Sequence, residues 1–354
     1  MKKYGLILLL VTLCIEAKNI GLTCKTWPGR LGDHIFYISK CLMLSHKYNI
    51  PFYYKPLKPL SQFGLHTQLE QLSPEIEKTF EKKVTIKHES YLPYFLKNNE
   101  DNILITIEFH MPTYDNPFNY WRTSGDRYAF IQPLLMPIDT SVLPKEPLPE
   151  DCLTVAVHVR KGSGTDGHLA SRQLYEYVPE WKYIKKNLGI KPKTSLALSE
   201  QFSPETPVKK KRTISPQTKS VKPAADKINA KRFPPNQYYI ECIKKLSELI
   251  DHQPLYIHIF TDDAHPQALV ELFKKEVNLP NVLWHDRELN LDYKTTVLQD
   301  LYQMTEFDCI IKADSYFAWS AQFLGQHTLA MYPHTSAWKD TTLIIKTIGI
   351  VDFT

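Results

Sequence analysis

Leu153-Thr154-Val155-Ala156-Val157-His158-Val159, running into Arg160-Lys161-Gly162-Ser163-Gly164, is the stretch on which the fold turns. It is a short, nearly continuous apolar run that stops at a basic, glycine-containing loop. Such a run reads as a strand buried on both faces, as in a parallel sheet. The sequence C-terminal to it repeats the theme. Tyr239, Ile243, Leu246 and Ile250 recur at helical spacing. Leu255–Phe260 reads as a strand, Pro266–Val277 as a helix and Val282-Leu283-Trp284 as a strand. Thr296–Phe307 reads as a helix, and Cys309-Ile310-Ile311 and Thr328–Tyr332 as strands. Alternating strands and helices imply a parallel sheet with helices on both faces.

Upstream, Pro137, Pro144, Pro147 and Pro149 crowd into one stretch and mark a linker over 137–150. A chain of 354 residues divided there gives an N-terminal unit, 18–136, and a C-terminal unit, 151–340. Each is long enough to bury its own core. In the N-terminal unit Ile20–Cys24 reads as a strand that enters the loop Trp27-Pro28-Gly29-Arg30-Leu31-Gly32-Asp33-His34. A largely apolar helix follows from Ile35 to Tyr48. Pro51-Phe52-Tyr53-Tyr54 and Ile103–Ile107 are further strand candidates, whereas 55–100 shows no clear period.

The chain opens on Met1-Lys2-Lys3, an apolar run from Tyr4 to Ile15, and Glu16-Ala17. This fits a signal peptide over 1–17, and the run is too short for a membrane span. A buried first strand is the alternative. A cleaved signal would direct the protein to the secretory pathway or export, and without one it would be cytoplasmic. Segment 188–232 carries a net charge of +8, so the rest of the chain is at −3 although the total is +5. The basic balance therefore does not describe a nucleic-acid-binding face, and no zinc-finger, basic-zipper or RNA-recognition signature is present. With few apolar residues, 188–232 reads as a disordered insertion or as a regulatory or acceptor-binding loop. The six cysteines are scattered through apolar segments without a CxxC pair, which points to buried thiols and no metal site.

Four short stretches carry chemistry. After the buried strand, His158 and Arg160 stand where ligands bind in open α/β sheets. Arg160 offers a planar fork of donors matched to phosphate oxygens. Asp262 and Asp263 end the next strand and suit a ribose or base edge, although Asp263 also fits a helix N-cap. Ser315, Tyr316 and Phe317 begin a helix after Cys309–Ile311, where a hydroxyl and backbone N–H groups meet phosphate. Asp314 or Ser315 as a plain cap is the alternative there. Gly29, Arg30 and Gly32 lie in a glycine-bearing loop that lacks the lysine and hydroxyl ending of a Walker loop.

Taken in order, these stretches resemble the fucosyltransferase superfamily, whose α1,2, α1,6 and protein O-fucosyl branches use GDP-fucose. Gly29–His34 is similar to the family's N-terminal G-x-[FL]-G-[ND] loop. His158-Val159-Arg160 is similar to its H-x-R motif, and Ile259-Phe260-Thr261-Asp262-Asp263 to its [FS]-[ST]-D-D segment. Asp314-Ser315-Tyr316-Phe317-Ala318-Trp319-Ser320 resembles the closing run of the α1,2 branch. Asp33 replaces the usual Asn, and Ser163 replaces an acidic residue of the α1,2 branch, so the sequence falls between branches.

The resemblance implies a GT-B fold, two Rossmann-like α/β domains with parallel sheets facing a central cleft. It implies an inverting glycosyltransferase that needs no metal or other cofactor beyond its GDP-fucose donor, with a glycan or protein hydroxyl as acceptor. Arg160, His158, Asp262, Asp263, Ser315, Tyr316, Phe317, Gly29, Arg30 and Gly32 would bind donor. Arg160 would also act in catalysis by stabilising the charge that grows on the β-phosphate, and Asp33 or His34 would take the acceptor proton. The rival readings are a transferase for another nucleotide sugar and an exported binding protein that keeps the fold without catalysis.

Overall fold

The computed structural model describes residues 19–25, 30–87, 89–98, 102–108, 125–139, 147–161, 180–185, 232–286, 293–325, 327–339 and 342–352. The leader, Gly29 and the insertion up to residue 231 lie outside these residues.

The chain forms two α/β units. In the first, strands β1 (Ile20–Cys24), β2 (Lys82–Ile86) and β3 (Ile103–Ile107) make a parallel sheet in the order β1-β3-β2. Helix α1 (Leu31–Tyr48) packs on β1, and the short helices α2 (Leu65–Gln68), α3 (Pro74–Lys78), α4 (Leu92–Lys97) and α5 (Gly125–Leu135) complete the unit. Pro51–Tyr54 was expected to be a strand but makes only two isolated bridges. Phe52 pairs with Leu22 and Tyr54 with Gln71, so the segment changes partner midway and no ladder grows.

The second unit is a seven-stranded sheet in the order β5-β10-β9-β8-β4-β6-β7. Its strands are β4 (Leu153–Val159), β5 (Glu180–Lys185), β6 (Leu255–Thr261), β7 (Val282–Asp286), β8 (Cys309–Lys312), β9 (Leu329–Lys339) and β10 (Thr342–Asp352). Helices α6 (Asn236–Leu249), α7 (Pro266–Val277), α8 (Tyr293–Glu306) and α9 (Tyr316–Leu324) alternate with them. The central strand β4 is buried throughout, as its sequence predicts.

The large sheet is parallel except where β9 and β10 pair antiparallel, and β10 carries it past residue 340 to Asp352. The units also do not keep separate cores. One apolar cluster joins β1, α1 and α5 to Ala156, Phe260, Ile310, Leu301, Phe307 and Phe323 of the second unit. A second cluster fills the opposite face of the large sheet under α6 and α7. One face of the large sheet therefore buries its helices α8 and α9 together with the first unit. Burial of this shared apolar surface ties the halves together.

Among the described residues, Cys24, Cys41, Cys152, Cys242 and Cys309 are free thiols, and Cys152 alone among them is not buried. No described helix is long and apolar enough to cross a membrane.

Candidate active site

The carboxyl ends of β1, β4, β6 and β8 meet the first turns of α1 and α9. Arg30 was expected within a loop that reached His34. Instead it is the extended N-cap of α1, and Gly32, Asp33 and His34 already belong to the helix. Asp33 explains the early start, since its Oδ2 accepts the Arg30 backbone N–H at 3.0 Å. A carboxylate in the first turn also opposes the positive end of the helix dipole.

At Gly32 the two units come into close contact. A Cβ on this residue would stand 2.3 Å from the backbone N of Phe317 and 2.6 Å from its Cα. Only hydrogen in place of a side chain lets the N-terminus of α1 lie against that of α9. The starts of two helices are thereby brought to one place; in α1 the Asp33 N–H is already bonded to the Arg30 carbonyl at 2.9 Å, which leaves the N–H groups before it as the first-turn donors without an acceptor in the helix.

On the strand side, His158 is the penultimate residue of β4, and its ring lies 5.7 Å from that of Phe317. Burial pushes its pKa down to about 4, Asp262 opposes the shift, and Arg160 and Lys312 add to it. His158 is therefore a neutral imidazole near pH 7, and its buried Nδ1 has no protein hydrogen-bond partner among the described residues. Arg160 follows β4 and is only 8% exposed. It is not a surface arginine: its guanidinium lies 5.0 Å from the centre of the Phe233 ring. Lys161 donates its backbone N–H to Asp262 Oδ1 at 2.6 Å and its ammonium to Asn236 Oδ1. Desolvation lowers the Lys161 pKa, against the pull of Asp263 and Asp262.

Asp262 spans both units. Its Oδ2 accepts from Arg30 Nη1 at 3.3 Å while Oδ1 holds Lys161. Asp263 does not cap α7 as expected. His265 occupies the N-cap position, and Asp263 Oδ1 accepts its backbone N–H at 2.9 Å in a tight turn before the helix. Ser315 does occupy the N-cap position of α9, but its side chain makes no cap bond. Asp314 does not cap the helix either; its Oδ1 accepts the Trp319 indole N–H at 2.8 Å. Tyr316 lies between the units, stacked on Phe36 of α1 with centroids 4.0 Å apart. His34 is buried in the first turn of α1.

Two cations at the strand ends were given no role by the sequence. One is Lys161. The other is Lys312, fully buried at the end of β8 in register with His158. Its ammonium lies 3.2 Å from the centre of the Trp319 ring and 5.3 Å from that of Tyr332. The Trp319 N–H to Asp314 bond polarises the indole and favours a cation over its face. A lysine closing an otherwise apolar strand, Cys309-Ile310-Ile311-Lys312, was the available signal. Arg160, Lys161 and two helix N-termini make the spot suited to a multiply charged anion.

No known protein-family model matches the sequence, and no curated protein matches it. Among solved structures, the chain is similar to POFUT1 in complex with GDP-fucose, with a TM-score of 0.42 and 10% identity over 88% of this chain and 94% of that one. It is similar to a mutant FUT1 of Arabidopsis thaliana in complex with GDP, with a TM-score of 0.46 and 11% identity over 93% and 73% of the two chains. It is also similar to the fucosyltransferase NodZ from Bradyrhizobium, with a TM-score of 0.43 and 11% identity over 95% and 99%.

Proposed function

We propose that the protein is a glycosyltransferase that takes fucose from GDP-fucose and delivers it, with inversion and without a metal, to a hydroxyl of a glycan or protein. One observation carries the reading. The motif stretches around Arg30, His158–Lys161, Asp262 and Ser315–Phe317, far apart in sequence, converge at the junction of the two units. A leaving nucleoside diphosphate gains charge as its bond to the sugar breaks, and preorganised donors stabilise that charge.

In this reading Arg160 and Lys161 hold the diphosphate, aided by the N–H groups at the starts of α1 and α9. Arg160 takes up the charge growing on the β-phosphate. The acceptor oxygen attacks the anomeric carbon from the face opposite the diphosphate, and the bond to the phosphate oxygen breaks. The acceptor proton passes to Asp33 or His34. Asp33 has one oxygen committed to the helix cap, so its other oxygen would take the proton in the first case. The neutral His158 contacts the donor through Nδ1. Anion binding to Arg30 loosens its contact with Asp262, and Asp262 or Asp263 then reads the ribose or base.

Titration with GDP, GMP and UDP, with and without EDTA, followed by turnover of GDP-fucose, tests this. Binding of GDP above UDP and GMP, unchanged by EDTA, is expected. Indifference to the nucleotide or abolition by EDTA contradicts it.

A further inference from the structure

We infer that Phe233 and Asn236 are positioning residues that aim Arg160 and Lys161 into the anion site, an inference that rests on the reading above. Phe233 is 4% exposed yet belongs to neither apolar core of the described residues. Its ring faces the Arg160 guanidinium at 5.0 Å. A guanidinium held over a ring face has its flat face occupied and its plane, with the donor edge, fixed in direction. Asn236 does the corresponding work for the neighbouring cation, its Oδ1 accepting the Lys161 ammonium.

The segment between them is built to stay still. Pro234 and Pro235 fix their own φ angles and restrict the residue before each. Asn236 starts α6, and Tyr238 in the same turn donates its hydroxyl to the Lys312 carbonyl at 2.9 Å, anchoring the helix to the end of β8. The platform thus spans the ends of β4 and β8 and is fastened at both. A flexible lysine and arginine lose rotamer freedom before ligand arrives, so less is lost on binding.

The test uses the full chain and GDP as probe. Phe233→Leu, Phe233→Tyr and Asn236→Ala are compared with wild type by calorimetric titration, with a thermal melt of each. Proton shifts of the Arg160 side chain, displaced upfield by the ring face, are followed by NMR. Phe233→Leu is expected to melt cooperatively, to lose the upfield displacement and to bind GDP about tenfold more weakly. Phe233→Tyr keeps the ring and should retain both properties. Asn236→Ala, at a half-buried position, should weaken GDP by several-fold and carries the test if Phe233→Leu does not fold. Wild-type GDP affinity in folded Phe233→Leu or folded Asn236→Ala, or equal losses in Phe233→Tyr and Phe233→Leu, overturns the inference. A wild-type protein that binds no GDP overturns the proposed function instead.

Discussion

The two walls of the site differ in kind. The wall from the large sheet carries Arg160, Lys161 and the buried Lys312 at adjacent strand ends, braced by Phe233, Asn236 and Trp319. The wall from the small sheet is a single helix start, with Arg30 exposed, Asp33 half spent on a cap and Gly32 reduced to backbone. One wall is a fixed set of charges, and the other is a thin edge that must fit closely against it. The difference teaches where each function resides. In the proposed function, anion affinity is assigned chiefly to the braced cations of the large sheet, and alignment of the acceptor to the small unit. Substitutions on the two walls should therefore fail in different ways.

The largest effect is expected on the cationic wall. Arg160→Ala should lower the transfer rate roughly a hundred- to a thousandfold, the loss of about 2.7–4 kcal/mol typical for one preorganised donor. Arg160→Lys should recover only part, because an ammonium lacks the two-pronged edge. Steady-state kinetics of the purified variants check this. Because Arg160 is buried against Phe233, a thermal melt must accompany the rates.

On the opposite wall, the expected failure is of fit. Gly32→Val places branched atoms where the Phe317 backbone lies, and should destabilise by about 3 kcal/mol, the upper range for overpacking. Denaturant unfolding should show a lower midpoint. A variant as stable as wild type would mean that the units do not meet at this glycine.

His158 gives a dependence on pH that belongs to the large-sheet wall alone. Its pKa is about 4 in the folded protein against an ordinary value of 6.5, so the unfolded chain binds the proton more readily. Its contribution to stability is full above about pH 6.5 and is lost as pH falls toward 4. His158→Gln should flatten that part of the stability curve and leave the region above pH 7 unchanged in shape. Unfolding midpoints taken from pH 4 to 8 decide it.

The smallest effect is expected where the walls touch through solvent-facing charge. The Arg30–Asp262 pair is 43% and 20% exposed at its side chains, so Arg30→Ala should cost at most about 1 kcal/mol of stability. Its effect on GDP affinity should exceed that on the melt. Equal, large losses in both would make Arg30 part of the scaffold.

The same contrast governs what the sequence reveals. The central strands of the large sheet, β4, β6 and β8, are buried on both faces and read as apolar runs followed by their loops. β2 was missed because it is an edge strand: Lys82, Lys83 and Thr85 face solvent, leaving no apolar run to read. β10 was missed because Thr342–Asp352 is an antiparallel return strand that breaks the strand–helix alternation on which the reading relied. The places of Arg160 and Asp262, directly after β4 and β6, could be read from pattern. Phe233 and Asn236 could not, since they stand beyond the insertion and acquire a role only through three-dimensional contact with Arg160 and Lys161. Gly32 was read as a loop glycine, whereas its value lies in what a Cβ would strike on Phe317.

Calorimetric titration of GDP against GMP, on wild type and Arg160→Ala, tests the central claim most directly. The two ligands differ by the β-phosphate that the cationic wall is proposed to hold. Wild type should bind GDP well above GMP, and Arg160→Ala should erase most of that difference while still melting cooperatively. Equal affinity of the wild-type protein for GDP and GMP would contradict the account.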